Sequence, residues 1–132
     1  MCKIAILDDY QDFCLSLEYL LSDTFDVQSF TETNIFLKKV ESERYDLVLV
    51  DFSIISIPEQ GIHNGCNLIE YIKKSLKEPP ILVLFTGWIS RNALEEGKKI
   101  CPMADGFLAK DSEIAEILQS INRFLASKTS GC

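Results

Sequence analysis

Four short, almost wholly apolar runs recur along the chain, and each stops at a polar residue. Lys3–Leu7 (KIAIL) stops at Asp8, Leu47–Val50 (LVLV) at Asp51, Ile81–Phe85 (ILVLF) at Thr86 and Gly106–Ala109 (GFLA) at Lys110. Runs this short and rich in Ile, Leu and Val suit strands that are apolar on both faces. A fifth segment, Phe25–Phe30 (FDVQSF), alternates apolar with polar, which predicts a half-buried strand. Between these strands the period lengthens. Phe13, Leu17, Leu20 and Leu21 fall at i, i+4, i+7 and i+8, the apolar stripe of a helix. Ile35, Phe36, Leu37 and Val40 predict a second helix, capped by Thr31 or Thr33. Leu68, Ile69, Ile72 and Leu76 predict a third, stopped by Pro79-Pro80. A less regular helix is expected over Ser90–Lys99. The last carries Ile114, Ile117, Leu118, Ile121, Phe124 and Leu125, with Asp111 or Ser112 as its cap.

The resulting order is βαβαβαβαβα. Strands apolar on both faces, alternating with helices, predict a doubly wound α/β fold: a five-stranded parallel sheet with helices on both faces. Open sheets of this kind bind ligands at the carboxyl ends of their strands. In the strand order 2-1-3-4-5, strands one, three, four and five are contiguous. Asp8, Asp9, Asp51, Thr86 and Lys110 then converge on one cleft. Three carboxylates there repel one another; at about 4 Å and an effective dielectric near 20, each pair costs roughly 4 kcal/mol. A hard divalent cation, Mg²⁺ or Mn²⁺, offsets that charge, and the lysine helps. A carboxylate can also attack phosphorus and form an aspartyl phosphate. Such a step needs negative charge neutralised around the transferring group, which a metal, a lysine and a hydroxyl supply.

Composition narrows the function classes. The 132 residues fit one domain, expected over 1–126, with a polar tail at 127–132. A net charge of −7 argues against holding nucleic-acid phosphates or anionic membranes. No apolar run approaches membrane-spanning length, and the first is too short for a secretion signal, so a cytoplasmic protein is expected. The five cysteines (Cys2, Cys14, Cys66, Cys101, Cys132) lack CxxC spacing and read as reduced, mostly buried thiols. The single histidine, His63, reads as a solvated loop residue.

Residues 6–10 (ILDDY), 46–51 (DLVLVD), 81–87 (ILVLFTG) and 104–110 (ADGFLAK), in that order and each at a strand end, resemble the receiver domain of two-component response regulators. The resemblance covers essentially the whole chain and implies a (βα)5 flavodoxin-like fold. It implies Asp51 as phosphoacceptor, with Asp8, Asp9, Asp51 and the backbone carbonyl of Ser53 holding Mg²⁺ (or Mn²⁺). Lys110 would contact a phosphoryl oxygen and pair with Asp51 at rest. Thr86 would bond the phosphoryl group and report it. Phe107 stands where the family carries a switch aromatic, although it equally reads as a plain core residue. The implied donor is a sensor histidine kinase or phosphotransfer protein. Output would pass to a downstream protein, from a monomer or a weak phosphorylation-dependent dimer. Such a domain is no enzyme beyond its own phosphorylation and dephosphorylation.

Two departures stand against the family pattern. Asp111 follows the lysine where the family has proline, commonly through a cis bond. A non-proline cis bond costs about 2.5–4 kcal/mol. Either a trans bond with a reshaped loop or a strained cis bond is therefore expected. The loop after Asp51 is also expanded over residues 54–64, with Pro58 seven and Gly65 fourteen residues after Asp51. Through Ile62 it is expected to form a rim beside the site, gating it or presenting Ile54, Ile55 and Ile57 to a partner. Trp88 is a candidate partner anchor or lid. Tyr10, Gln11, Cys14 and Glu18 are candidates to meet the kinase. The competing reading is a pseudo-receiver, a binding module independent of phosphorylation. A phosphatase of the haloacid-dehalogenase type would want an aspartate at the position of Ser53, and an FMN site would be repelled by Asp8-Asp9.

Overall fold

The computed structural model describes residues 1–87 and 97–127. Strands β1 (Lys3–Leu7), β2 (Asp26–Phe30), β3 (Leu47–Val50), β4 (Ile81–Thr86) and β5 (Gly106–Ala109) form one parallel sheet in the order β2-β1-β3-β4-β5. Helices α1 (Gln11–Leu21), α2 (Thr33–Ser42), α3 (Gly65–Ser75), α4 (Gly97–Ile100) and α5 (Ile114–Ala126) alternate with them.

Period-two alternation in the central strands builds two cores. Ile4 and Ile6 of β1, Leu47 and Leu49 of β3, and Ile81, Val83 and Phe85 of β4 face one way, against Leu17 and Leu21 of α1 and Ile117 and Ile121 of α5. Ala5, Leu7, Val48, Val50, Leu82 and Leu84 face the other way, against Phe36, Leu37 and Val40 of α2 and Leu68, Ile69 and Ile72 of α3. Each fully buried Leu or Ile contributes roughly 1.5–3 kcal/mol relative to exposure. The central strands therefore have no polar position to spare until their last residue.

Several expectations are corrected. Leu20 and Ile35, placed on apolar stripes, are exposed. Both sit at the edge of their helix's buried arc, where periodicity cannot separate core from rim. No threonine side chain caps α2. Its N-cap position is Glu32, and the buried Thr33 hydroxyl donates to the carbonyl of Ile55 instead. The N-cap of α5 is Glu113, one residue beyond the expected pair. Only Lys98 and Lys99 of the fourth expected helix's later turns, together with Gly97, lie among described residues; Ser90 and the rest, like Trp88, lie outside them.

The expanded loop folds back on itself. Ile57 and Ile62 pair as an antiparallel bridge, with Ile57 N–H to Ile62 O at 2.8 Å and the reverse bond at 3.2 Å. Pro58–Gln60 forms a single 3-10 turn inside this bridge. The turn closes at Gly61, whose φ of +72° favours a residue without Cβ. Ile57 and Ile62 point inward and join the core with α2 and α3. Of the isoleucines expected to face a partner, Ile57 is therefore core; Ile54 packs partly against that core, and Ile55 is exposed. Ile57 and Ile62 thus anchor the loop in the core, while Ile55, Ser56 and residues 58–61 stay exposed.

Candidate functional site

The sheet's hydrogen-bond ladder runs one residue past β1, β3 and β5, and that extra residue carries the chemistry. Asp8 N–H donates to Phe30 O on β2 at 3.0 Å. Asp51 N–H donates to Leu7 O on β1 at 3.0 Å, and Lys110 N–H to Thr86 O on β4 at 3.1 Å. Because Leu7 pairs with Val50 and Thr86 with Ala109, Asp8 and Asp51 leave adjacent strands side by side, with Lys110 approaching from the far edge.

Asp8 is 2% exposed and Asp51 7% exposed, whereas Asp9 is open to solvent. One carboxylate oxygen from each of the three lies within 4.8 Å of the others. Hard oxygen donors at that spacing suit Mg²⁺ or Mn²⁺. The donor set therefore fits a metal of this class. Lys110 Nζ reaches between the two buried acids, in contact with Asp8 Oδ2 and 3.3 Å from Asp51 Oδ1. The lysine thus bridges Asp8 and Asp51 rather than pairing with Asp51 alone. Asp8 is committed twice, since its Oδ1 also accepts from Tyr10 N–H at 2.9 Å and leads the chain into α1.

Burial pushes the Asp51 carboxyl above its ordinary pKa; Lys110 opposes that, and the Asp8 charge adds to it. For Lys110, burial favours the neutral amine, but its hydrogen bond to Asp8 and the two carboxylate charges outweigh burial and raise its pKa. The raised pKa holds Lys110 as an ammonium between the two buried acids.

Thr86 is buried at the end of β4. Ser53 is exposed, two residues past Asp51 on the loop leaving β3. Phe107 is half-buried on β5 and lies against Gly97, where an added Cβ would come within 2.6 Å of its ring. The Lys110–Asp111 peptide is trans, as are all peptides among the described residues. The backbone turns sharply after it, closed by Ser112 N–H to Ala109 O at 3.1 Å, so Asp111 reshapes the loop without a cis bond. Among the proposed kinase-facing residues Tyr10 and Gln11 are exposed. Glu18 is half-buried and accepts from Ser29 Oγ, and Cys14 is buried beneath Asp8, its thiol donating to Asp8 O at 3.3 Å. Cys14 therefore cannot meet a partner directly. His63 is exposed on the loop.

Sequence reasoning missed two supports of the site. Phe13 belongs to the α1 stripe by spacing, but its ring lies 4.7 Å from Lys110 Nζ and packs on Phe85 at 5.7 Å between centroids. A cation held over a ring face gains about 0.5–2 kcal/mol, which helps fix the lysine. Gly65 does more than open α3. Its N–H donates to Phe52 O at 2.8 Å, and an added Cβ would lie 2.1 Å from the carbonyl oxygen of Asp51. The start of α3 is thus pressed against the backbone that carries Asp51. A glycine just before an apolar helical stripe is a weak signal of such close approach.

Cys14, Cys66 and Cys101 are free thiols, while Cys2 is disulfide-bonded, which corrects the reading of all five as reduced. Among the described residues, no helix is long and apolar enough to cross a membrane.

The sequence profile of the response regulator receiver domain matches residues 4–122. No curated protein sequence matches the chain. Solved structures of similar shape include a CheY-like receiver domain from Methanospirillum hungatei, at 22% identity and a TM-score of 0.78, covering 96% of this chain and 95% of that one. A two-component response regulator from Clostridium difficile is 18% identical with a TM-score of 0.78, covering 98% and 100%. A CheY-like receiver domain from Methylobacillus flagellatus is 21% identical with a TM-score of 0.74, covering 94% and 98%.

Proposed function

The chain belongs to the response regulator receiver family, and on that premise we propose that it accepts a phosphoryl group on Asp51 from the phosphohistidine of a sensor kinase or phosphotransfer protein. The observation that carries this reading is the buried Asp8–Lys110–Asp51 bridge beside exposed Asp9. The family is one of signalling domains rather than classical enzymes, and the chemistry here is self-modification.

An Asp51 oxygen attacks phosphorus, the P–O bond forms as the P–N bond to the donor imidazole breaks, and the electron pair leaves with that imidazole. Asp8, Asp9, Asp51 and the Ser53 carbonyl would hold Mg²⁺ or Mn²⁺, which when bound offsets the charge of the phosphoryl oxygens. Lys110 starts within reach of Asp51, so its ammonium needs only a small shift to meet a phosphoryl oxygen. Thr86 supplies a hydroxyl from the neighbouring strand end. Phe107 and Thr86 together form the proposed switch, with Phe107 seated on α4 through Gly97. Output passes to another protein, in the cytoplasm, and the acidic surface disfavours direct contact with nucleic acid or anionic membrane.

Beryllofluoride with Mg²⁺ mimics an aspartyl phosphate and tests this reading. Wild type should unfold at higher temperature with both present than with Mg²⁺ alone, and Asp51→Asn should lose the difference. An equal response in Asp51→Asn, or none in either, would favour a phosphorylation-independent binding module.

A further inference from the structure

The molecule holds a second cluster of reactive side chains, away from the carboxylates. Cys66 is the second residue of α3 and half-buried; Cys101 follows directly after α4 and is buried in the core. Both belong to the same apolar cluster, and their thiols are hydrogen-bonded to each other. The two sulfurs are thus already neighbours, although the elements carrying them are separated in sequence by β4.

Their environments differ in a useful direction. Cys66 sits in the first turn of an eleven-residue helix, where the unpaired N–H groups and the helix dipole favour a thiolate. The hydrogen bond from Cys101 lowers the Cys66 pKa against the opposing effect of burial. The same hydrogen bond, with burial, pushes the Cys101 pKa up, so its proton stays on. Cys14 provides the contrast: burial and the Asp8 charge push its pKa up to about 11, and its proton is donated to a backbone carbonyl. By exposure and charge, Cys66 is, among the described free thiols, the one built to react, and Cys101 is the one placed to resolve it.

We propose that Cys66 and Cys101 form a peroxide-sensitive dithiol that closes to a disulfide between α3 and the segment after α4. The Cys66 thiolate attacks one oxygen of hydrogen peroxide, the O–O bond breaks, and hydroxide leaves, giving Cys66 sulfenic acid. The Cys101 sulfur then attacks the Cys66 sulfur. The S–S bond forms, the S–O bond breaks, and water leaves carrying the Cys101 proton. Two thiols are oxidised by two electrons and one peroxide is reduced to two waters.

The position makes the bond consequential. Gly65, next to Cys66, abuts the carbonyl of Asp51, and Cys101 N–H donates to Gly97 O at 2.7 Å, the residue on which Phe107 rests. Closing the bond ties these two neighbourhoods together.

The test uses the whole chain, hydrogen peroxide and mass spectrometry, with no phosphoryl donor, so it stands apart from the reading above. After peroxide and digestion without reductant, a Cys66–Cys101 cross-linked peptide should dominate, and both cysteines should lose alkylation together. Dimedone, which traps sulfenic acids, should label Cys66 at least several-fold more in Cys101→Ser than in wild type. Cys66→Ser should leave Cys101 reduced. Persistence of both alkylatable thiols after peroxide, equal dimedone labelling with and without Cys101, or cross-linking of Cys66 to a different cysteine would each overturn the proposal.

Discussion

Lys110→Met keeps much of the aliphatic stem and removes the ammonium that separates Asp8 from Asp51. The two carboxylates have ligand oxygens within 4.8 Å. At that distance and an effective dielectric near 20, their repulsion is about 3.5 kcal/mol. Removing one partner of a buried ion pair costs about 3–5 kcal/mol, a range that brackets this figure. The Lys110 side chain is 22% exposed, so solvent already screens part of the interaction. The expected loss at neutral pH is therefore about 2–3 kcal/mol. Urea unfolding followed by circular dichroism reads it directly. Urea is preferable to guanidinium chloride, whose ions would screen the repulsion. The pH dependence has a definite sign. The Asp51 pKa is already raised by burial, and losing Lys110 removes an opposing influence, so it rises further. A carboxyl with a raised folded pKa contributes stability that is complete below the unfolded value and lost as pH rises through the folded one. The penalty of Lys110→Met should be smallest near pH 4, where an ordinary carboxyl takes up its proton, and grow as pH rises. Millimolar Mg²⁺ should restore most of it. A loss under about 0.5 kcal/mol at neutral pH, or one independent of pH, would refute the bridging role.

Three other changes test separate parts of the account. Asp51→Asn removes a carboxylate disfavoured by burial, so its stability relative to wild type should rise as pH increases from about 4 to neutral, by the same urea assay; a relative stability that falls over that range contradicts the cited shift. Ile62→Ala should lose about 2–5 kcal/mol because Ile62 is fully buried, whereas a solvent-facing rim would lose under about 0.5 kcal/mol. Gly65→Ala should destabilise by at least about 2 kcal/mol and weaken Mg²⁺ binding in calorimetry, since its Cβ meets backbone carrying Asp51. Gly61→Ala has open space around it, so it should cost only about 1 kcal/mol, from its left-handed backbone, and leave Mg²⁺ binding intact.

The sheet was legible because β1, β3, β4 and β5 are almost wholly apolar and each ends at, or gives way to, a polar residue. That same break marks Asp8, Asp51 and Lys110 as neighbours in the sequence pattern itself. What escaped the sequence depends on tertiary partners. Thr33 has the chemistry of a helix cap, but Ile55 O claims its hydroxyl. Ile55 and Ile57 are two residues apart in one loop, yet a bridge to Ile62 turns only Ile57 inward. Leu20 belongs to the apolar stripe by spacing and lies outside the buried arc of α1. Phe13 was read as a core residue, and its place beneath Lys110 follows from how α1 crosses the strand ends. The Cys66–Cys101 contact joins elements on either side of β4, which no local spacing announces.

The central claim is that Asp51 takes a phosphoryl group directly. Acetyl phosphate, a donor that needs no kinase, should phosphorylate the chain in the presence of Mg²⁺, and peptide mass spectrometry should place the group on Asp51. The adduct should be cleaved by hydroxylamine, as an acyl phosphate is, and should be absent when EDTA replaces Mg²⁺ or when Asp51→Asn replaces wild type. Phosphorylation of a different residue, or none under conditions where Mg²⁺ demonstrably binds, would contradict the account.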